Sequence, residues 1–368
     1  MKKKLITIVL FLAALFLLVS CIDSTTSTKE EANTQNQEAT NAPETSSGQE
    51  TSEVANPISE DIQYIEDGTP YIIHPDDILS GGPRKGGIGV DQGIPALSKQ
   101  NIDFVTVEEA NTYIQDNELV LALHYKGEKR VYPLQIMVWH EIANDVVAGD
   151  PILITYCPLC GSGIAYKREM TITNEQTNIS ETITPKFGTS GKLYNSNLVM
   201  YDDKTDTYWQ QIDGKAIIGQ LTGQELEDIN IDTVVWRDYK AVHQDAMVLS
   251  QETGMSRSYG TDPYGSYYEN SLLFFPVDNE IEDESIHPKT VIYGIQIDNT
   301  YKAYIEDDII SAGGSITDSV GSVNMKITRE ADGIVTIINS KTSEELVKER
   351  DFFFAWYAFH PDTLVYGR

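Results

Sequence analysis

Basic residues are scarce in this chain of 368 residues. Lys and Arg number 27 against 56 Asp and Glu, which gives a formal net charge of −29. A surface with this excess of negative charge repels phosphate backbones, and no stretch of the sequence forms a basic stripe. We therefore exclude nucleic acid as a partner. The hydrophobic content of 40% is that of a folded protein, and the length allows a sizeable core.

Cysteine is scarce as well, with Cys21, Cys157 and Cys160 as the three occurrences. Three cysteines are too few for a disulfide-stapled scaffold. A single C-x-x-C pair also excludes a four-cysteine zinc ribbon and a rubredoxin-type iron centre by count. The motif H-E-x-x-H is missing, because Asn144 stands where its second histidine would follow His140, so a zincin-type protease is disfavoured.

The N-terminal segment predicts the compartment. Three lysines precede an apolar run over residues 5–19, and small residues lead to Cys21. This pattern is typical of a bacterial lipoprotein signal peptide over residues 1–20, after which Cys21 carries membrane lipid. An uncleaved anchor is the alternative, although the run is short for a membrane span. Either way we expect the body outside the cytoplasmic membrane, lipid-anchored to the cell envelope.

The following residues, 21–57, predict a disordered tether. They consist mostly of Ser, Thr, Glu, Asn and Gln, with almost no large apolar side chains. Such a composition cannot bury enough surface to offset its chain entropy. We divide the rest into a β-rich half over residues 58–270 and a second, shorter half over residues 271–368.

Short segments rich in Val, Ile, Thr and Tyr dominate the body, as over 119–125, 152–156 and 291–297. These predict strands. The clearest helical periodicity runs over 134–147, directly after Pro133. We therefore predict an α+β fold dominated by strands, built as one compact body from two unequal β-rich halves.

An internal repeat relates the two halves. Residues 119–132 align without a gap on 291–304, and residues 239–245 align on 356–362. The offsets are 172 and 117 residues, so the first copy carries 55 extra residues. Because identity is low, chance similarity is the alternative. Both body cysteines fall in the first copy, which is where we expect the chemistry.

The most specific motif is Cys157-Pro-Leu-Cys160-Gly161, directly after an apolar strand. This spacing makes a tight turn in which glycine supplies a positive φ, as in knuckles that present two thiolates to a metal. A thioredoxin-type pair instead needs a helix beginning at the first cysteine. A metal knuckle is the favoured interpretation, and a redox-active dithiol and a structural pair remain open.

Two thiolates need a third ligand, and His140 is the nearest candidate in the sequence. We predict one metal ion, zinc or copper, bound by His140, Cys157 and Cys160. His243, Met200 and a water are the candidates for a fourth ligand.

Two acidic residues near His140 are candidate catalytic bases. Glu141 and Asp145 follow the histidine on the predicted helix. A base close to an open metal position would activate a bound water. Solvated acids on an outer helix face are the alternative interpretation for both.

Further residues are expected to line a pocket or to support the ligands from a second layer. They lie on the predicted helix, in a segment with small polar residues between apolar strands, and in a glycine-rich loop. These residues are Asn144, Tyr194, Asn195, Ser196, Met200 and Arg84.

Four motifs in order carry a family resemblance. They are DILSGGPRKGG over 77–87, YPL to WHEIAND over 132–145, TYCPLCG over 155–161 and LYNSNLVMYD over 193–202. Together they resemble the domain of unknown function 3179 family, from about residue 70 to the end. The resemblance implies an exported protein and no established activity. The chain has His243-Gln-Asp-Ala where the family usually has His-Pro-Asp-Thr, which weakens a role for His243.

Three hypotheses about function follow. The first is an envelope lipoprotein that binds one metal ion through two cysteines and one histidine. The second is an extracytoplasmic thiol-disulfide oxidoreductase with Cys157 as nucleophile. The third is a non-catalytic envelope binding module. The sequence identifies no substrate and no protein or small-molecule partner.

Overall fold

The computed structural model describes residues 62–86, 93–174, 179–283 and 285–368. The predicted signal peptide, the tether and Cys21 lie outside these ranges. The structure is 41% strand and 13% helix, and its several sheets pack into one body. This confirms the prediction of a strand-dominated α+β fold. The division near residue 270 stays a prediction.

The strands of the described residues are short and mostly antiparallel. In chain order they are β1 (Gln63–Tyr64), β2 (Pro70–Tyr71), β3 (Leu79–Ser80), β4 (Leu97–Ser98), β5 (Phe104–Thr106), β6 (Leu119–Tyr125), β7 (Glu128–Pro133), β8 (Ile142–Val147), β9 (Asp150–Cys157), β10 (Ser162–Lys167), β11 (Met170–Asn174), β12 (Ile179–Ile183), β13 (Phe187–Tyr194), β14 (Asn197–Asp202), β15 (Tyr208–Gln210), β16 (Ala216–Ile218), β17 (Asp228–Ile229), β18 (Asp232–Val235), β19 (Met247–Leu249), β20 (Val291–Ile297), β21 (Thr300–Ile305), β22 (Ser315–Val320), β23 (Val323–Arg329), β24 (Val335–Asn339), β25 (Glu349–Phe352) and β26 (Leu364–Val365).

The helices are short and lie between strands. They are α1 (Val107–Ala110), α2 (Leu134–His140), α3 (Trp236–Val242), α4 (Glu306–Ser311) and α5 (Phe353–Phe359), together with 3₁₀ turns at Pro75–Asp77 and Gly265–Glu269. Among the described residues, no helix is both long and apolar enough to cross a bilayer.

Two sheets position the cysteines. The knuckle sheet has the order β17-β10-β9-β8-β4, and a seven-stranded large sheet has the order β1-β2-β16-β15-β14-β13-β3. The β9–β10 turn of the first and the β13–β14 turn of the second meet in one hydrophobic core, which also contains Trp209 and Phe354. The cysteines therefore lie where two sheets pack, with α5 of the second half against them.

The repeat detected in the sequence appears as two sheets with the same strand order. Repeat sheet 1 is β18-β6-β7-β19 with β5 added at its edge, and repeat sheet 2 is β25-β20-β21-β26. Equivalent pairs keep the offsets of 172 and 117 residues. Leu119 pairs with Val235 as Val291 pairs with Phe352, and Arg130 pairs with Met247 as Lys302 pairs with Leu364.

The helix predicted over 134–147 is wrong in its second half. α2 ends at His140, and β8 begins at Ile142 and pairs with β9 throughout its length. Glu141 between them has a φ of 56°, which stops the helical hydrogen-bond ladder. β8 is rich in β-branched residues and lies in the interior of a sheet, so strand pairing prevails over its helical spacing.

Candidate functional site: a buried dithiol

The two body cysteines lie on a hairpin turn. β9 ends at Cys157, β10 begins at Ser162, and these two residues are paired. The amide of Cys160 donates to the carbonyl of Cys157 at 3.1 Å, which closes the turn. Gly161 has a φ of 62°, and a Cβ there would lie 2.8 Å from the Phe352 ring. Glycine is required for both reasons, and no helix begins at the first cysteine.

The sulfur atoms of Cys157 and Cys160 lie 3.2 Å apart as free thiols. Both side chains are buried, with exposed fractions of 2% and 0%. Burial raises the pKa of Cys160 well above its ordinary value, and the hydrogen bond from Cys157 raises it further. Cys157 lines a cavity. Cys157 is therefore the accessible sulfur, and Cys160 is the sulfur held as a thiol behind it.

The turn between β13 and β14 lies over both sulfurs. Asn195 and Ser196 have φ values of 49° and 60°, which are the two left-handed residues of a type I′ hairpin. The carbonyl oxygen of Ser196 lies 3.5 Å from Cys160 Sγ and 3.9 Å from Cys157 Sγ. Asn197 Nδ2 lies 3.5 Å from Cys160 Sγ and also donates to Gln211 at 2.7 Å. Polar groups of the large sheet thus hold the dithiol in place.

A cavity of about 270 Å³ adjoins Cys157. Glu141, Tyr264 and Phe274 line it together with Cys157, and most of its surface is apolar. A loop over residues 81–86 closes it on one side, since a Cβ at Gly191 of β13 would lie 1.9 Å from the carbonyl oxygen of Pro83. The cavity has the size of a small organic group rather than of a folded partner.

Glu141 brings a carboxyl group to the same cavity. Its exposed fraction is 5%, and its side chain accepts a hydrogen bond from the Tyr264 hydroxyl at 3.4 Å. Burial raises the pKa of Glu141 to about 8. Its left-handed backbone is uncommon for a residue with a side chain and costs about 1 kcal/mol or more. Strain and a buried acid coincide beside a thiol, which is typical of a functional site.

His140 does not join the cysteines. Its Nδ1 lies 2.7 Å from the carbonyl oxygen of Pro95, and its Nε2 lies 2.6 Å from the Tyr259 hydroxyl. Burial lowers the pKa of the imidazole to about 4, so the ring is neutral. Within the described ranges, no three His, Cys, Asp or Glu side chains converge as a metal site. The expected centre of His140, Cys157 and Cys160 is therefore not assembled, because the helix end directs Glu141 rather than His140 to the cavity.

Asn144 and Asp145 hold sheets together instead of lining the cavity. The Asn144 amide exchanges two hydrogen bonds with the backbone of Phe187, which ties β8 to β13. Asp145 accepts from the Tyr132 hydroxyl at 2.7 Å, and burial raises its pKa. Both residues are buried. The alternative interpretation of Asp145 as a solvated acid on a helix face is therefore wrong.

The other predicted pocket residues are scattered. Met200 is buried in the core around the cysteines. Tyr194 packs on Phe359 of α5, at 5.8 Å between ring centroids. Arg84 is exposed. His243, a candidate fourth ligand, lies at the end of α3 with Nε2 2.6 Å from Asp332.

Two site residues had escaped the sequence analysis. Asn197 lies next to residues chosen there, but an amide on a strand carries no chemical signal by itself. Tyr264 comes from an irregular segment without a motif, more than 100 residues from Cys157. Only folding brings it beside Glu141.

A comparison with known protein families matches the part of the chain that contains the dithiol. The model of a family described as "Protein of unknown function (DUF3179)" matches residues 91–345. This chain belongs to the DUF3179 family. The matched region contains Cys157, Cys160, Glu141 and Ser196. No curated protein and no solved structure matches the chain.

Proposed function

We propose that the protein catalyses thiol-disulfide exchange at the Cys157–Cys160 dithiol. Cys157 is the nucleophile, Cys160 is the resolving cysteine, and Glu141 is the base. The observation that carries the proposal is that Cys157 and a buried, high-pKa Glu141 line one cavity while a second thiol lies 3.2 Å behind the first.

The exchange proceeds in two displacements. The ionised form of Glu141, which its pKa of about 8 makes accessible near neutral pH, takes the proton of Cys157. The thiolate then attacks a substrate disulfide, forming a mixed disulfide and releasing one substrate thiolate, which receives the proton. Cys160 then attacks Cys157 Sγ and its proton passes to the departing substrate sulfur, which leaves as the second substrate thiol. The protein dithiol is oxidised to a disulfide, and the substrate disulfide is reduced to two thiols. The reverse sequence oxidises a substrate dithiol.

The geometry separates the roles of the two sulfurs. A thioredoxin-type site lowers the pKa of its nucleophile with a helix N-terminus, whereas this hairpin turn has no such dipole. A neighbouring carboxylate supplies the equivalent activation, as an adjacent base does for other nucleophiles. Cys160 stays protonated beside the Ser196 carbonyl, so it does not compete with Cys157 for the incoming disulfide.

Zinc or copper held by the two cysteines is the competing proposal. It is favoured by the Ser196 carbonyl, which faces both sulfurs and makes one face of a ligand set with them. His140 supplies no ligand to this arrangement, since both of its ring nitrogens are engaged. Among the described residues, no third His, Cys, Asp or Glu side chain joins the two cysteines as a ligand.

We also propose that the body works outside the cytoplasmic membrane, anchored through Cys21. The support is the signal-like segment over residues 1–20 and the cysteine that follows it. An envelope is an oxidising compartment in which a dithiol has disulfide chemistry to perform. Incorporation of labelled fatty acid into the wild type, and its loss in Cys21→Ser, tests this proposal.

Trapping of the intermediate tests the exchange. The Cys160→Ser variant, treated with oxidised glutathione, is expected to gain one glutathione at Cys157, as measured by intact mass. The matched control Cys157→Ser is expected to gain none within the same time. The wild type is expected to titrate in a glutathione redox series with a loss of two hydrogens. A dithiol that stays reduced throughout the series contradicts the proposal, and stoichiometric zinc or copper that Cys157→Ser abolishes supports the metal instead.

A further inference from the structure

A second cavity, lined both by residues 213–228 and by residues of the segment 294–360, has an acidic lining. Its volume is about 530 Å³, and β20, β21 and α5 contribute to its wall. Five carboxylate residues line it: Asp213, Glu225, Asp228, Asp298 and Glu349. Its two lysines are already paired, Lys215 with Glu225 at 3.4 Å and Lys348 with Asp232 at 3.2 Å. The lining thus holds more negative charge than its own cations neutralise.

Burial makes the charged form of two carboxyl groups of this cavity, those of Glu349 and Asp213, unfavourable. Glu349 Oε2 is buried and has no hydrogen-bond partner among the described residues. Burial, followed by repulsion from Asp351, raises the pKa of Glu349. Burial also raises the pKa of Asp213 to about 6. Burying a carboxylate without a partner is costly, so a cation brought to this place gains the interaction that the chain leaves unmade.

Aromatic rings form the other side of the cavity. His360 stacks on Tyr301 with ring centroids 3.9 Å apart and an interplanar angle of 16°, and it lies 4.2 Å from the Trp356 ring. The exposed fraction of His360 is 8%, and in the described ranges neither ring nitrogen makes a hydrogen bond. Its Nε2 is directed towards Asp213 at 3.7 Å. A buried polar ring therefore lines the cavity with its hydrogen-bonding capacity unused.

The equivalent place in the first repeat is closed by the chain itself. His243, offset by 117 residues from His360, bonds Asp332 at 2.6 Å. Lys129 stands where the second repeat has Tyr301, and its Nζ lies 2.8 Å from Asp245. The first repeat therefore supplies its own cation. The second repeat replaces that cation with an aromatic ring and leaves an open cavity.

We propose that this cavity binds a small organic ammonium ion, whose charge lies against Asp213 and Glu349 and whose alkyl part packs on the aromatic rings. Aromatic faces attract ammonium groups, most strongly where water is excluded. The volume falls in the range of small-molecule sites. A single metal ion fits less well, because no three His, Cys, Asp or Glu side chains in the described part of the chain converge.

Calorimetric titration of the full chain with spermidine and with tetramethylammonium, at constant ionic strength, tests the proposal. We expect one-to-one binding of at least one ammonium probe. Asp213→Asn and Glu349→Gln are each expected to weaken that binding about tenfold, and Tyr301→Leu about fivefold, whereas Tyr301→Phe keeps the ring and the affinity. Asp307→Asn removes the same charge from an exposed site outside the cavity and is the matched control.

The three carboxyl variants also separate a site from general attraction to an acidic protein. Without ligand, Asp213→Asn is expected to raise the unfolding temperature, because it removes repulsion. Equal binding by Asp213→Asn, Glu349→Gln and Asp307→Asn overturns the proposal, as does the absence of binding by both ammonium probes. Stoichiometric binding of the calcium ion, when calcium chloride is titrated instead of an ammonium probe, also overturns the proposal, in favour of a metal site.

Discussion

Replacement of Glu141 by glutamine has a stability effect whose sign depends on pH. Glu141 is buried, and its pKa is about 8 instead of 4.5. Between these values the folded protein holds a proton that the unfolded chain has released. The contribution of this carboxyl to stability is therefore fully present below pH 4.5 and is lost as the pH rises through 8. Glutamine has a similar shape and no proton to lose.

The size of the effect follows from the two pKa values. Integrating the linkage relation between about pH 5 and pH 8 gives a loss of about 3.5 kcal/mol from the wild-type free energy of unfolding. The Glu141→Gln variant lacks this loss. The difference between the two proteins is therefore expected to change by about 3.5 kcal/mol over that range, with the variant gaining relative to the wild type as the pH rises.

Urea unfolding followed by tryptophan fluorescence measures this difference at three pH values across the range. Glu330→Gln is the matched control, because Glu330 is exposed and carries the same charge. Its curve is expected to follow the wild type at every pH. Parallel pH dependences for Glu141→Gln and the wild type would refute the raised pKa of Glu141, and with it the base that titrates near neutral pH in the exchange mechanism.

Three further substitutions test the surroundings of the dithiol. Gly191→Ala is expected to cost about 3 kcal/mol or more, since its Cβ would meet the Pro83 carbonyl; Gly127→Ala, also at positive φ but with open space, costs about 1 kcal/mol in the same unfolding assay. His140→Phe is expected to lose about 2–4 kcal/mol through its two broken hydrogen bonds while the dithiol redox potential stays unchanged; a shifted potential would restore His140 to the site. Asn197→Leu is expected to lose about 2–3 kcal/mol because Gln211 Oε1 and the Ile212 amide each lose a hydrogen bond to Asn197, and an unchanged unfolding midpoint would contradict the network.

The strands at 119–125 and 291–297 and the offsets between the two copies could be predicted, because they depend on local alternation and on a gapless alignment. The segments 119–125 and 291–297 coincide with β6 and β20, and the offsets of 172 and 117 reappear in the pairing registers. Two segments that align without a gap keep the same spacing between their residues. Equivalent residues therefore occupy equivalent positions in the two pairing registers.

The end of α2 could not be predicted in the same way. Residues 142–147 fit helical spacing in the sequence, and their strand form depends on β9 as a pairing partner and on the left-handed Glu141. This difference of one residue matters, because Glu141 rather than its neighbour His140 lines the cavity beside Cys157.

The sequence by itself determined the acidic surface, the strand-dominated class, the repeat and the glycine-bearing turn that holds two cysteines together. Each depends on composition or on neighbours a few residues apart. The tertiary structure alone decided that Glu141, Tyr264 and Ser196 surround that turn and that His360 meets Asp213. These contacts join residues from distant segments of the chain. Which residues meet depends on how whole sheets pack and on which polar groups that packing removes from water.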